Sequence, residues 1–249
     1  SVPILAPVNP VCAGGTIVLT ITNPSNDPGV TYIWQTPNGT STVTSQPSLT
    51  FQNATMQNDG TYSVYATTST CASVPSPSII VVVNELPAAP SISALNPNPC
   101  EGDTLRLFGP AGFDGYQWVG PFGNTASVPN PVFPSVDSMM HSGLWKLRVM
   151  KNNCFSPFSE PLEITVRKRP KQPVAIQAQD VCLDQSDVLT LQITANSAEP
   201  GAQFTWYDAG SQQPLGAPTF SHTFQLSDLS GFSSGAHTLY VRATENGCS

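Results

Sequence analysis

Apolar residues alternate with polar ones in short runs along the chain. The clearest runs follow the first, third and fifth cysteines and contain Ile17, Leu19 and Ile21; Leu105 and Leu107; and Leu189, Leu191 and Ile193. Such alternation is typical of β-strands that turn one face towards a core and the other towards water. No long stretch has the three- and four-residue spacing of an amphipathic helix, so the pattern predicts an all-β protein.

The same order of features occurs three times, which predicts a tandem repeat of three modules at residues 1–86, 87–169 and 170–249. In each, a strand ending in tryptophan is followed by a turn containing glycine, and a later strand begins with glycine. The tryptophans hold a fixed place in the repeat, so core packing is favoured over a sugar-stacking role. The predicted core aromatics are Trp34, Trp118, Trp206, Tyr62 and Trp145.

Two of these segments resemble the immunoglobulin superfamily. Asp59-Gly60-Thr61-Tyr62 is similar to the tyrosine-corner signature of strand F, and Trp34 to the core tryptophan of strand C. The resemblance implies three tandem Ig-like β-sandwiches. The chain departs from the antibody pattern at Val64, where that pattern has a cysteine.

The cysteines form three sequence pairs with similar separations of 59 (71 − 12), 54 (154 − 100) and 66 (248 − 182) residues. Read on the Ig-like fold, each pair has one cysteine before strand B and one after strand F, and we expect both at one pole of the module. Six cysteines allow 15 pairings, and the repeat favours a disulfide within each module. The predicted bonds are Cys12 to Cys71, Cys100 to Cys154 and Cys182 to Cys248.

The combination of a cysteine before strand B, a tryptophan followed by an Asn/Gly turn, and a glycine-led strand followed by a cysteine turn resembles the Ig-like repeats of large Bacteroidota surface adhesins. Adhesins of gliding motility belong to that class. The resemblance implies export to the cell surface and attachment to glycans, solid surfaces or other cells, with neighbouring modules of the parent chain as further partners.

Two other classes stay open. The modules could be an accessory segment of a secreted multidomain enzyme, orienting a domain outside this sequence. A eukaryotic cell-adhesion receptor is disfavoured, because the cysteine pair between strands B and F is absent.

Charge and composition narrow the partners. The formal net charge of −7 argues against nucleic acid and anionic membranes as partners.

The longest apolar run, residues 79–83, is too short to span a membrane. Proline-bounded linkers at residues 84–90 and 167–173 favour an elongated array. The third unit stops at Cys248-Ser249 without a closing strand, so we expect a piece of a longer chain.

Candidate chemistry is sparse, and the sequence predicts neither enzyme activity nor a cofactor. The three histidines have no recurring acidic partner, so the sequence does not indicate a hydrolytic triad. Zinc is disfavoured because no Cys-x-x-Cys spacing occurs. Asp180, Asp184 and Asp187 are a candidate calcium site, although a solvated loop is the favoured interpretation.

Ligand contact is better sought in residues that do not follow the repeat. Phe113 and Phe122 lie beside turns of the second module, and Phe155 and Phe158 follow Cys154. They are candidates for contact with a ligand or another module. The basic segment 167–171 could dock an acidic polysaccharide or a neighbouring module, and a solvated spacer is favoured.

Overall fold

The computed structural model describes residues 1–176, 188–194, 201–227 and 231–249, and these form an all-β chain of tandem Ig-like sandwiches. Buried apolar residues of the described chain form three separate clusters, which follow one another along the sequence. The fold class predicted from the alternation is therefore confirmed. The module boundaries at residues 86 and 169 stay predictions.

In module 1 two sheets enclose a core. Strand β2 pairs with β5, and the second sheet has the order β4-β3-β6-β7, while β1 pairs in parallel with β8. The elements are β1 Val11–Cys12, β2 Ile17–Thr20, β3 Thr31–Gln35, β4 Ser41–Thr44, β5 Ser48–Phe51, a 3₁₀ helix Met56–Asn58, β6 Gly60–Thr67, β7 Ile79–Val81 and β8 Val83–Asn84.

Module 2 repeats this plan with sheets β13-β10-β9 and β12-β11-β14-β15, with β16 also paired to β14. Its elements are β9 Ser93–Ala94, β10 Leu105–Phe108, β11 Gly115–Val119, a 3₁₀ helix Pro121–Gly123, β12 Thr125–Ala126, β13 Val132–Phe133, α1 Ser138–His141, β14 Gly143–Lys151, β15 Cys154–Phe155 and β16 Leu162–Ile164.

The described part of module 3 contains the sheets β17-β18-β20 and β19-β21. Its strands are β17 Ala175–Ile176, β18 Leu189–Ile193, β19 Gln203–Asp208, β20 Thr223–Leu226 and β21 Leu239–Thr244. Strand β19 pairs with β21 so that Trp206 lies opposite Val241, as Trp34 lies opposite Val64 in module 1.

All five aromatics predicted for the core are buried in the structure: Trp34, Tyr62, Trp118, Trp145 and Trp206. The Tyr62 hydroxyl donates to the Asn58 carbonyl at 2.9 Å, four residues upstream, which is the contact of a tyrosine corner. Burial raises the pKa of Tyr62 above its usual value. In module 2 the Trp145 indole makes the same four-residue contact, to the His141 carbonyl at 3.2 Å.

The glycines that begin strands β6 and β14 are required by the backbone. Gly60 has φ +130° and Gly143 has φ +137°, a region that side chains rarely adopt. A Cβ on Gly60 would also lie 2.8 Å from Pro37 Cβ. Glycine at this position therefore allows a proline-containing turn to pack against the start of the strand.

Strand direction decides where the cysteines lie. Strand β5 runs antiparallel to β2 and ends beside its start, and the chain then passes Ala54, whose backbone bonds to Gly14 and Gly15 next to Cys12. Strand β6 starts at this end, so β2 and β6 run in the same direction. We call this end, with Cys12 and β8, the exit pole, and the other end, with the turn after β6, the hairpin pole.

Candidate functional site: the disulfide-bonded junctions between modules

Two disulfides cross from one module to the next. Cys12 of module 1 is bonded to Cys154 of module 2, with Cα atoms 5.6 Å apart. Cys100 of module 2 is bonded to Cys248 of module 3, with Cα atoms 5.7 Å apart. In both cases the exit-pole cysteine of one module is joined to the hairpin-pole cysteine of the following one.

The prediction of a disulfide within each module is therefore wrong for Cys12, Cys71, Cys100, Cys154 and Cys248. Cys71 carries an exposed free thiol. The physical reason is length: Cys12 lies near the start of the eight-residue strand β6, whereas Cys71 follows its end, roughly 26 Å away at about 3.3 Å per residue. A disulfide needs Cα atoms within about 7 Å. Cys182 lies outside the described residues.

The hairpin-pole cysteines stand at the exits of two-residue turns. Asn152 and Asn153 precede Cys154, Asn246 and Gly247 precede Cys248, and all four have positive φ. A turn with two such residues matches the twist of the flanking strands, and asparagine and glycine adopt it most readily. The turn chemistry thus places each cysteine at the tip of its module.

The exit-pole cysteines are held by the strand that leads to the next module. Cys12 pairs with Asn84 in parallel, and Cys100 forms a parallel bridge with Arg167. The linker and the disulfide therefore leave each module side by side. Consecutive modules are joined covalently at two neighbouring points.

A hydrogen bond repeats beside each disulfide. The Asn84 side chain donates to the carbonyl of Asn152 at 3.3 Å, and Arg167 donates to the carbonyl of Asn246. Both acceptors are the first residue of the hairpin turn, and both donors lie opposite the exit-pole cysteine. A Cβ on Gly247 would lie 3.0 Å from Arg167 Nη1, so glycine allows this close approach.

Arg169 adds further contacts at the second junction. Its guanidinium forms a salt bridge with Asp103 at 2.6 Å and donates to the carbonyls of Glu101 and Ser249, each at 2.5 Å. Ser249 belongs to module 3, whereas Asp103 and Glu101 belong to module 2. For Arg167 and Arg169, the interpretation of the basic segment as a solvated spacer is wrong, because both contact the neighbouring module.

The four phenylalanines proposed as ligand contacts lie in three settings. Phe113 is partly buried against the module 2 core and makes an edge contact with Tyr116. Phe122 is 72% exposed, at a residue with positive φ. Phe155 and Phe158 are 38% and 42% exposed, and both rings lie against Arg148.

Arg148 is a residue that the sequence did not identify. Its guanidinium carbon lies 4.2 Å from the ring centroid of Phe155 and 5.1 Å from that of Phe158, and Nε donates to Gln117 at 2.6 Å. We call Arg148, Phe155, Phe158 and Gln117 the Arg148 cluster. A single arginine on a solvated strand face carries no signal in the sequence.

Module 3 has a related cluster at the equivalent position. Arg242 lies opposite Thr205 as Arg148 lies opposite Gln117, and its guanidinium is 5.4 Å from the Tyr207 ring. Tyr207 and Tyr240 stack with centroids 5.1 Å apart. In module 1 this position holds Tyr65.

Acidic groups in the described part of the chain do not gather into a metal site. No three histidine, cysteine, aspartate or glutamate side chains of the described residues come together in the way a metal ion requires. Hydrogen bonds from the Ser211 side chain and backbone lower the pKa of Asp208. These bonds lie within the turn that follows strand β19, so the Asp208 carboxylate stabilises that turn. Asp180, Asp184 and Asp187 lie outside the described residues.

Comparison with known proteins supports the Ig-like fold. Residues 1–84 match the family model described as "Ig-like domain CHU_C associated". A search of curated proteins finds no match.

Solved structures that match the chain share little sequence with it. One chain in the structure of a mouse coronavirus receptor-binding domain complexed with its murine receptor has 14% identity and a TM-score of 0.40, covering 63% of this chain and 95% of that one. A titin segment has 14% identity and a TM-score of 0.37, covering 99% and 92%. Three N-terminal domains of the bacteriophage RB49 outer capsid protein Hoc have 15% identity and a TM-score of 0.35, covering 98% and 87%.

An Ig-like chain with two disulfides fits a structural module of a secreted or extracellular protein, since disulfides persist in oxidising compartments. In the described part of the chain, no helix has the length and apolar character that crossing a bilayer would need.

Proposed function

We propose that this chain is a repeat segment of a bacterial cell-surface adhesin, in which disulfide-bonded Ig-like modules form a rigid stalk. The observation that supports it is the disulfide across each junction. A linker alone lets two modules swivel, since interfaces between domains of one chain are usually small. A second covalent connection beside the linker removes most of that freedom. A stalk that holds a binding region away from a cell requires this restriction.

The adhesin role is supported by the resemblance of the repeat to those of Bacteroidota surface adhesins, and the match of residues 1–84 to an Ig-like family model supports the kind of module that such a stalk contains. In this role the chain has no catalytic residue and no cofactor. A parent chain in which these modules flank one catalytic domain would contradict the stalk of an adhesin and favour the accessory segment of a secreted enzyme.

Breaking the first junction is expected to let modules 1 and 2 tumble separately. With the disulfide intact, ¹⁵N relaxation should give both modules the same rotational correlation time. In Cys12→Ala/Cys154→Ala the two times should become shorter and unequal, because the linker remains as the single covalent connection between the two modules. Cys71→Ala is the matched control and should behave as the parent chain. Equal and unchanged correlation times in the double variant would contradict a stalk stiffened by disulfides.

Binding of a glycan is a second candidate function, favoured by the Arg148 cluster. Exposed aromatic rings can stack on the C–H faces of sugars, and a guanidinium binds carboxylates through paired hydrogen bonds. Only one of the five N–H donors of Arg148 is used by Gln117. A ligand of this chemistry is an oligosaccharide that contains uronic acid.

Replacing Arg148 or Phe155 by alanine is expected to weaken that binding at least about tenfold, since each loss removes an interaction of roughly 1.4 kcal/mol. Isothermal titration with an oligogalacturonate checks this. Lys151→Ala, which removes the same charge at the end of the same strand, should leave the affinity within about twofold. Equal losses in Arg148→Ala and Lys151→Ala would mean that only overall charge matters.

A further inference from the structure

Cys71 occupies the same structural position as Cys154 and Cys248. It closes a hairpin after the glycine-led strand, in which the Thr68 N–H donates to the Cys71 carbonyl at 2.8 Å. In module 3 the Glu245 N–H donates to the Cys248 carbonyl at 2.9 Å. Each of the three cysteines also lies nine residues after the corresponding position of its strand: Tyr62, Trp145 or Leu239.

Both equivalents of Cys71 are bonded to a cysteine at the exit pole of the preceding module. In each case the carbonyl of the first turn residue also accepts a hydrogen bond from that module. Cys154 and Cys248 are each only 1% exposed, whereas Cys71 is exposed. The hairpin pole of module 1 is thus an uncovered copy of a surface that is covered in modules 2 and 3.

We infer that Cys71 forms an inter-module disulfide with an exit-pole cysteine of another Ig-like module of the same kind, which lies in front of module 1 in the parent chain. The partner cysteine directly precedes an alternating strand. The partner module also carries, opposite that cysteine, a side chain that donates to the Ser69 carbonyl. This extends the proposed stalk by one junction and does not depend on what the stalk binds.

The bond forms by thiol–disulfide exchange. A thiolate attacks a small-molecule disulfide such as oxidised glutathione and forms a mixed disulfide, releasing one reduced thiol. The second cysteine thiolate then attacks the protein sulfur and releases the other reduced thiol. Two protein thiols are oxidised and one glutathione disulfide is reduced to two thiols.

The turn before Cys71 differs from the other two in one respect. Ser69 and Thr70 do not have the positive φ values of Asn152, Asn153 and Asn246. The position of the cysteine is kept although the turn type changes. The cysteine keeps its place in all three hairpins of the chain, whereas the turn that precedes it differs in module 1. This favours a role for the sulfur atom itself.

The chain contains a suitable partner for a test, because Cys182 stands in the sequence before an alternating run as Cys12 and Cys100 do. The variants Cys71→Ala and Cys182→Ala are mixed in a glutathione redox buffer and separated without reduction. We expect a one-to-one heterodimer, joined through Cys71 and Cys182 in mass spectra of non-reduced peptides. Cys182→Ala alone should give at least about tenfold less dimer.

Three outcomes would overturn the inference. In the first, Cys182→Ala forms a homodimer through two Cys71 residues as readily as the heterodimer forms. In the second, Cys71 ends as a mixed disulfide with glutathione. In the third, Cys71 stays a free thiol in the mixture. None of them affects the bond between Cys12 and Cys154, so they are distinguishable from failure of the proposed stalk.

Discussion

Replacing Cys12 and Cys154 together by alanine is expected to lower the free energy of unfolding of module 2 by about 4 kcal/mol. When module 2 unfolds beside a folded module 1, the disulfide closes a loop from the end of β8 at Asn84 to Cys154, about 70 residues long. Closing a loop of this length removes that much conformational entropy from the unfolded chain in the chain-entropy model. Alanine is preferred to serine because serine would place a hydroxyl at the buried position of Cys154.

Chemical denaturation under non-reducing conditions, followed by near-ultraviolet circular dichroism, measures this loss. The parent chain treated with a reductant should unfold at the denaturant concentration of the double variant or below it, since reduction also breaks the bond between Cys100 and Cys248. Cys71→Ala should unfold as the parent does, because the Cys71 thiol is exposed and unpaired. A loss below about 1 kcal/mol would show that the bond does not constrain the unfolded state.

The substitution Trp118→Ala is expected to destabilise module 2 by about 3–5 kcal/mol. The Trp118 side chain is fully buried among Leu105, Leu107 and Leu147, and its indole N–H donates to the Val128 carbonyl at 2.9 Å. Alanine would leave a large cavity and remove the donor of that carbonyl. The loss is a large share of the stability of a small module, which is typically about 5–15 kcal/mol.

Differential scanning calorimetry should resolve the module 2 transition at a lower temperature, with the other transitions less changed. Val119→Ala, at the next position of the same strand, is the control and should cost less than about 1 kcal/mol, because Val119 is on the exposed face. Similar losses for the two variants would contradict the placement of Trp118 at the centre of the core.

The sandwich fold could be predicted from the sequence because its signals are local. Alternation in runs such as Ile17 to Ile21 fixes which side chains face inwards, and a fixed aromatic in each repeat marks the core. Trp145 shows that such a local signal holds even where the residue type changes. Its place in the repeat predicted a core residue, and its indole donates to the carbonyl four residues upstream, as the Tyr62 hydroxyl does in module 1.

The disulfide pairing could not be predicted from the repeat alone, because similar separations do not reveal which pole each cysteine occupies. The direction of the strands would have given the answer. Strands β2 and β6 run the same way, so a cysteine before one and a cysteine after the other lie at opposite poles. The partner of Cys12 then has to come from another module.

The contacts of Arg167 and the Arg148 cluster depend on tertiary structure that no local pattern encodes. Arg167 donates a hydrogen bond to the carbonyl of Asn246, which is 79 residues away in sequence. The two residues come into contact only when modules 2 and 3 are joined. Phe155 and Phe158 could be selected because they do not recur between modules. The arginine between them is an ordinary charged residue on a strand until the fold places the two rings beside it.

Mass spectrometry of peptides from the non-reduced chain, digested at a pH that prevents exchange, tests the bonding of consecutive modules most directly. The structure predicts one linked pair that contains Cys12 and Cys154 and another that contains Cys100 and Cys248, with Cys71 in neither pair. Linked pairs of Cys12 with Cys71 and of Cys100 with Cys154 would place each bond within a module and contradict the disulfide-bonded stalk.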